Sequence, residues 1–230
     1  MVPRKLPSRR ETMMFRSGDG KPVVALDIDG TLGDYHRHFL SFAQNWLGQP
    51  MPNPEDINPG LPLSVFMGVP HPIYRECKLA YRQGGLKRWM PVYPHAAELT
   101  RSIRDEDAEV WICTTRPYLR LDNIDPDTRE WLGRNRIEYD AVIFEGVETE
   151  AGLITKYEDL VRQVGIDRIV AAVDDLPEQT FNATINGIHK IYLRDQPYNR
   201  QEDVYGERVY DLNNLWLRLR KDIAEWKARH

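Results

Sequence analysis

Five short apolar runs punctuate the chain: PVVALDI at 22–28, AEVWICT at 108–114, YDAVIFEG at 139–146, RIVAAVDD at 168–175 and IHKIYLR at 188–194. Most are continuous rather than alternating, the pattern of strands buried on both faces of a parallel sheet. Between them stand PHAAELTRSIRDED, DPDTREWLGRNRI and TKYEDLVRQVGI, each of helical character. This alternation predicts an α/β fold, a Rossmann-like parallel sheet flanked by helices and joined by right-handed crossovers. The last segment carries Leu212, Leu215, Trp216, Leu219, Ile223 and Trp226 as one apolar stripe, expected to pack against the sheet.

One interval breaks the alternation. From Gly33 to Pro91 there is no strand pattern, only helical segments and proline-rich connections. In DYHRHFLSFAQNWL, the residues Tyr35, Phe39, Phe42, Ala43, Trp46 and Leu47 share one helical face. A second helix is expected in HPIYRECKLAYRQGG, closed by Gly84 and Gly85. The domain reading is therefore a core of residues 22–33 and 92–230, with a small α-helical cap, residues 34–91, inserted after the first strand. Residues 1–21 read as a disordered basic leader without the apolar centre of a signal peptide.

Bulk composition narrows the class. A net charge of −4 over 230 residues argues against general affinity for nucleic acid or membranes, both of which favour excess Lys and Arg. No apolar run approaches a membrane span. The two cysteines, Cys77 and Cys113, read as reduced thiols of a cytoplasmic protein. A homodimer is one assembly the sequence leaves open.

The chemistry sits where the apolar runs end. In an open α/β sheet, ligands bind at the carboxyl ends of the strands. Here the first run delivers Asp27 and Asp29, the second Thr114 and Thr115, and the fourth Asp174 and Asp175. Four carboxylates in one crevice would repel one another, and a hard divalent cation resolves that conflict. Hydroxyls and a lysine would then hold a phosphate. Alone, Thr114 would read as a helix cap or turn residue, and Lys156 as a solvated surface lysine. Arg116 could reach phosphate or substrate, or form a surface salt bridge. His36 and His38 stand two apart on a helix and point apart, the wrong spacing for sharing a metal. No phosphate-binding GxxxxGK[ST] loop occurs.

Together, DIDGT after an apolar strand, a strand-end threonine, a lone lysine and a strand ending VDD resemble the four motifs of the haloacid dehalogenase superfamily phosphatases. The resemblance spans about residues 22–194. It implies that Asp27 attacks phosphorus and forms an aspartyl-phosphate, and that Asp29 serves as general acid and base. It implies Mg²⁺ held by Asp27, the backbone carbonyl of Asp29, and the pair Asp174 and Asp175, with phosphate bound by Thr114, Thr115 and Lys156. Dehalogenases of the superfamily lack the second aspartate, so its presence favours phosphoryl transfer.

Within that superfamily, DIDGTLGDY, RWMPVYPHAAEL, VWICTT and AAVDDLP are similar to the 5′(3′)-deoxyribonucleotidases. That likeness implies a nucleoside 5′-monophosphate as substrate, with Tyr35, and more loosely Phe66, against the base. For both, the alternative is a place in the cap core, and for Phe66 that alternative is the stronger. The chain departs from the nucleotidases in TTRP and in the wide gap between Lys156 and the acidic pair. A sugar-phosphate phosphatase, a polynucleotide 3′-end phosphatase gripping a strand with its basic leader, and a silent phosphate-binding protein are the alternatives.

Overall fold

The computed structural model describes residues 20–58, 61–117, 121–146, 148–149, 152–202 and 204–230. The basic leader therefore lies outside the described residues, apart from its last two positions. In chain order the strands are β1 (Val23–Leu26), β2 (Glu109–Thr114), β3 (Ala141–Phe144), β4 (Glu148–Thr149), β5 (Gly152–Leu153), β6 (Ile169–Asp174), β7 (Ile191–Arg194) and β8 (Glu207–Val209). The helices are α1 (Tyr35–Leu47), α2 (Leu63–Phe66), α3 (His71–Gln83), α4 (Ala96–Asp105), α5 (Ile124–Arg134), α6 (Lys156–Val164), α7 (Pro177–Ile185) and α8 (Leu212–Lys227).

Six strands form one parallel sheet in the order β3-β2-β1-β6-β7-β8. Every residue of β1 and β6 is buried, which is why their sequences run apolar without alternation. Successive side chains still face opposite layers. Val24 and Leu26 join a core with Leu99 and Ile103 of α4, Trp131 of α5 and Leu215, Leu219 and Ile223 of α8. Val23 and Ala25 join the other, with Tyr157 and Leu160 of α6 and Ala183 of α7. The C-terminal stripe packs on the sheet as its spacing predicts.

Helix α7 and strand β8, like the short antiparallel β4–β5 pair, are not announced by the hydrophobic pattern. In α7, Thr180 and Ala183 face inward while Phe181 and Ile185 stand exposed, so no apolar stripe marks the helix. Strand β8 is three residues long, and only Val209 is buried.

The stretch from β1 to β2 carries α1, α2 and α3 and leaves the sheet through a closed stem. Gly33 bridges Val92, Asp34 N–H donates to the Pro91 carbonyl (2.8 Å), and Tyr93 N–H donates to the Leu32 carbonyl (2.9 Å). Phe39, Leu40 and Ala43 of α1 meet Met67, and Cys77 and Tyr81 of α3, in a core of their own. The Gly84 and Gly85 stop falls where the sequence places it. Cys77 and Cys113 are both buried and unbridged, and no helix among the described residues is long and apolar enough to cross a membrane.

Candidate active site

Strand order brings the polar strand ends together, because β2, β1 and β6 are neighbours. Asp27 follows β1 directly, and its N–H still donates to the Val173 carbonyl of β6 (3.0 Å). The chain then turns sharply: N–H groups of Leu32 and Gly33 both return to the Ile28 carbonyl. Gly30 makes the turn possible. Its φ is +97°, and a Cβ there would stand 2.2 Å from Asp175 Oδ2 and 2.4 Å from the Tyr198 hydroxyl oxygen.

Carboxylate oxygens of Asp27, Asp174 and Asp175 all lie within 4.8 Å of one another, and all three residues are buried. Lys156 Nζ sits between two of them, 2.6 Å from Asp27 Oδ1 and 2.6 Å from Asp174 Oδ2. It opens α6, with Thr155 as N-cap accepting from Glu158 N–H, and it is buried to 1% exposure. Burial alone would lower its pKa, but the two carboxylates outweigh burial and hold it well above the ordinary lysine range. The carboxylates move the other way. Desolvation, opposed by Lys156, pushes Asp27 up to about 7, and desolvation with repulsion from Asp174 and Asp27 raises Asp175 well above the carboxylate range. One lysine does not balance three buried carboxylates.

The aspartates of the pair differ. Asp174 is fully engaged, with Lys156 and the Tyr157 hydroxyl (2.7 Å) on Oδ2 and Leu176 N–H (3.0 Å) on Oδ1. Asp175 instead lines the cavity beside Asp27 and Asp29. It accepts from the Tyr198 hydroxyl and from Thr31 Oγ1 (3.4 Å), while Asn199 clamps its carbonyl (2.6 Å).

Asp29 occupies a different electrostatic setting. Arg116 reaches both its oxygens, 2.7 Å to Oδ1 and 3.3 Å to Oδ2, and Lys87 donates to Oδ2. Burial would raise its pKa, yet Arg116 and Lys87 hold it well below the usual carboxylate range. Arg116 is not the surface residue that its position in TTRP allowed. It is 2% exposed and anchored through Thr128 (3.0 Å). Lys87, 2% exposed, arrives from a short 3-10 turn, Leu86–Trp89, and no sequence signal marks it. Burial lowers its pKa to about 7 against the pull of Asp29.

The remaining residues singled out in the sequence divide. Thr115 is exposed and lines the cavity. Thr114 is buried, and its Oγ1 accepts from Arg116 N–H at 3.4 Å, so it also braces the turn. Tyr35 lines the cavity, but its ring carries Lys87 Nζ at 4.0 Å and stacks on Phe39 at 5.7 Å. Phe66 packs against the Phe39 cluster and is not among the residues lining this cavity. His36, set aside in the sequence, stands on the wall with its ring 4.3 Å from Tyr198; burial lowers its pKa to about 4. Lys78 and Arg82 complete the wall from α3.

No protein-family model and no curated protein matches the sequence. Solved structures do. A haloacid dehalogenase-like hydrolase from Streptococcus pneumoniae superposes with a TM-score of 0.60 at 15% identity, over 86% of this chain and 98% of that one. The fold is that of the haloacid dehalogenase-like hydrolases. A subfamily IA hydrolase of that superfamily from Geobacter sulfurreducens gives a TM-score of 0.55 at 17% identity, over 89% and 100% of the two chains. A D,D-heptose 1,7-bisphosphate phosphatase from B. bronchiseptica, solved with magnesium and phosphate, gives 0.54 at 12% identity over 87% and 99%.

Proposed function

We propose that the protein is a Mg²⁺-dependent phosphomonoester hydrolase that works through an aspartyl-phosphate on Asp27. The observation that carries this reading is the set of three buried carboxylates around one lysine, with Asp29 two residues beyond the first. Structurally similar proteins include a phosphatase, which supports the same reading.

The donor set fits a hard cation. The three carboxylates are crowded around a single lysine, and Asp27 and Asp175 are raised in pKa, as expected of a site short of positive charge. Asp27 and Asp175 would hold the ion directly with the Asp29 carbonyl, and Asp174, already saturated, would steady Lys156 and the ion's surroundings. Bound there, Mg²⁺ supplies charge to the phosphoryl oxygens and keeps Asp27 ionised.

The chain's own residues then divide the work. An Asp27 carboxylate oxygen attacks phosphorus, the bond from phosphorus to the alcohol oxygen breaks, and Asp29 gives that oxygen a proton. Water next attacks phosphorus, Asp29 takes its proton, and Asp27 leaves as free carboxylate. Asp29 is anionic while Lys87 and Arg116 hold it. An incoming phosphate dianion offers both cations another partner, and a carboxylate so relieved returns toward the range where it can carry a proton. Lys156 and Thr114 bind the transferring group, with Thr115 at the cavity edge.

Residues 34–91 act as the cap over a core of residues 22–33 and 92–230. The closed stem at Gly33 and Val92 and the separate Phe39 core support that division. A small phosphate ester suits a cavity of about 220 Å³. The sequence likeness implies a nucleoside 5′-monophosphate, with a sugar phosphate as the alternative. Of the two rings on the wall, Tyr74 is available as a platform, whereas Tyr35 is held by Lys87 and Phe39. The test is a phosphatase screen over nucleotides, sugar phosphates and 3′-phosphorylated oligonucleotides, with Mg²⁺ and with chelator. Mg²⁺-dependent phosphate release that is lost in Asp27→Asn supports the mechanism. Activity persisting in that variant overturns it.

A further inference from the structure

The cavity is lined by four cationic side chains, Lys78, Arg82 and Lys87 from the insertion and Arg116 from the turn after β2. Only Asp29 answers them, and it is shared by Lys87 and Arg116. Lys78 donates to the Tyr74 hydroxyl (3.1 Å) and has no carboxylate partner among the described residues. Arg82 has none either, and its buried Nε lacks any hydrogen-bond partner among them.

Keeping Lys78 and Arg82 together is unfavourable in itself. They stand one turn apart on α3, where like charges repel. Burial, aided by Arg82, lowers the Lys78 pKa to about 8. A half-buried guanidinium with no counter-charge is costly unless something answers it.

Charge counting shows what that something must be, and this step rests on the phosphatase reading. Lys156 and a divalent cation balance Asp27, Asp174 and Asp175. With both lysines protonated, as an anion beside them would favour, four cations against Asp29 then leave a surplus of three positive charges. A transferring phosphate dianion answers two of them. At least one positive charge is left, beyond the reacting phosphorus and on the cap side.

We propose that the substrate carries a second anionic group, a carboxylate or a second phosphate, held by Lys78 and Arg82, and so is not a simple nucleoside 5′-monophosphate. Arg82 presents the planar fork suited to either anion, and Lys78 adds a point charge beside it. The subsite would let the helical insertion select substrates by charge at the end remote from the scissile bond.

The test uses the full chain and three matched probes: propyl phosphate, its carboxylate-ended analogue and its bisphosphate analogue. With Mg²⁺, kcat/KM for at least one anion-ended probe is expected to exceed that for propyl phosphate by about ten- to a hundredfold, the effect of one charge-assisted hydrogen bond. Which probe leads tells carboxylate from phosphate. In Lys78→Met and in Arg82→Met that ratio falls by about tenfold or more, whereas Lys78→Arg restores most of it. Melting curves verify that each variant is folded. Calorimetric binding of the same probes to Asp27→Asn protein reads the subsite without turnover. A binding preference with no hydrolysis of any ester would sink the phosphatase reading and leave the subsite standing. Hydrolysis or binding of all three probes within about twofold of one another overturns the subsite.

Discussion

Lys156 and Asp27 are 129 positions apart in the chain and 2.6 Å apart in the fold. The lysine is the sole cation in contact with the Asp27–Asp174–Asp175 cluster among the described residues. Lys156→Met should therefore do more than weaken phosphate binding. Removing one partner of a buried ion pair costs about 3–5 kcal/mol, because the other charges stay buried. The loss should be largest in chelator above neutral pH, where the carboxylates must ionise, and Mg²⁺ should recover part of it. Urea melts with and without Mg²⁺ measure both. A variant as stable as the parent in chelator would show that Lys156 does not neutralise the cluster.

The carboxylates also set a pH signature for cation binding. Asp27 and Asp175 have raised pKa values in the folded protein, so their neutral forms favour folding below about pH 4 and that advantage is lost as pH rises, through about 7 for Asp27. His36 acts oppositely: its folded pKa is lowered to about 4, so its charging below the ordinary histidine range destabilises the fold. The two effects overlap in a plain melting profile. Mg²⁺ removes the first without touching the second. The rise in melting temperature on adding Mg²⁺ should therefore grow steadily from pH 5 to 8, by an amount on the order of a few kcal/mol in stability. A stabilisation by Mg²⁺ that is flat across that range would contradict a cation displacing protons from these aspartates.

Asp29 offers a test by leaving group. Proton donation matters for an alkoxide and little for p-nitrophenolate. Asp29→Asn should cost about a hundredfold or more in kcat/KM on propyl phosphate and about tenfold or less on p-nitrophenyl phosphate. The amide also leaves Lys87 and Arg116 without a counter-charge, so the melting temperature should fall too. Equal losses on the two esters would make Asp29 an anchor for those cations rather than a proton carrier.

What the sequence revealed follows from which forces act locally. Continuous burial of β1 and β6 writes itself as an apolar run, and a strand end is where polar chemistry becomes accessible, so Asp27, Asp174 and Asp175 stood out. The glycines that stop α3 are equally local. Lys87, Lys78 and Arg82 were invisible because their roles depend on how the insertion folds back over β1. On α3 a lysine and an arginine four apart look like any solvated face. Arg116 read as possible surface for the same reason: only its packing against Thr128 and Asp29, from distant segments, makes it internal. Helix α7 escaped notice because its buried positions are Thr180 and Ala183 rather than large apolar residues.

Tyr35 separates a base platform from a structural ring. Its contacts with Lys87, Phe39 and Tyr81 embed it between the insertion and the sheet core, and its hydroxyl is buried without a hydrogen-bond partner among the described residues. Truncating a ring so placed leaves a void and frees Lys87 from an aromatic face. Tyr35→Ala should therefore lower stability by up to about 3 kcal/mol, less than for a fully buried aromatic because the ring is half-buried. Because Lys87 holds Asp29, the disturbance reaches the reacting centre, and kcat/KM should fall for a nucleoside monophosphate and for p-nitrophenyl phosphate to a similar extent. A base platform predicts otherwise. Stacking contributes about 1–3 kcal/mol, so only the nucleotide would suffer, through a KM raised about ten- to a hundredfold with kcat retained. Tyr35→Phe sharpens the comparison, since it keeps the ring for either role and removes only the unpartnered hydroxyl. It should be at least as stable as the parent. A selective KM effect on the nucleotide in Tyr35→Ala, with the melting temperature unchanged, would make Tyr35 a substrate contact and the nucleoside monophosphate the preferred ester.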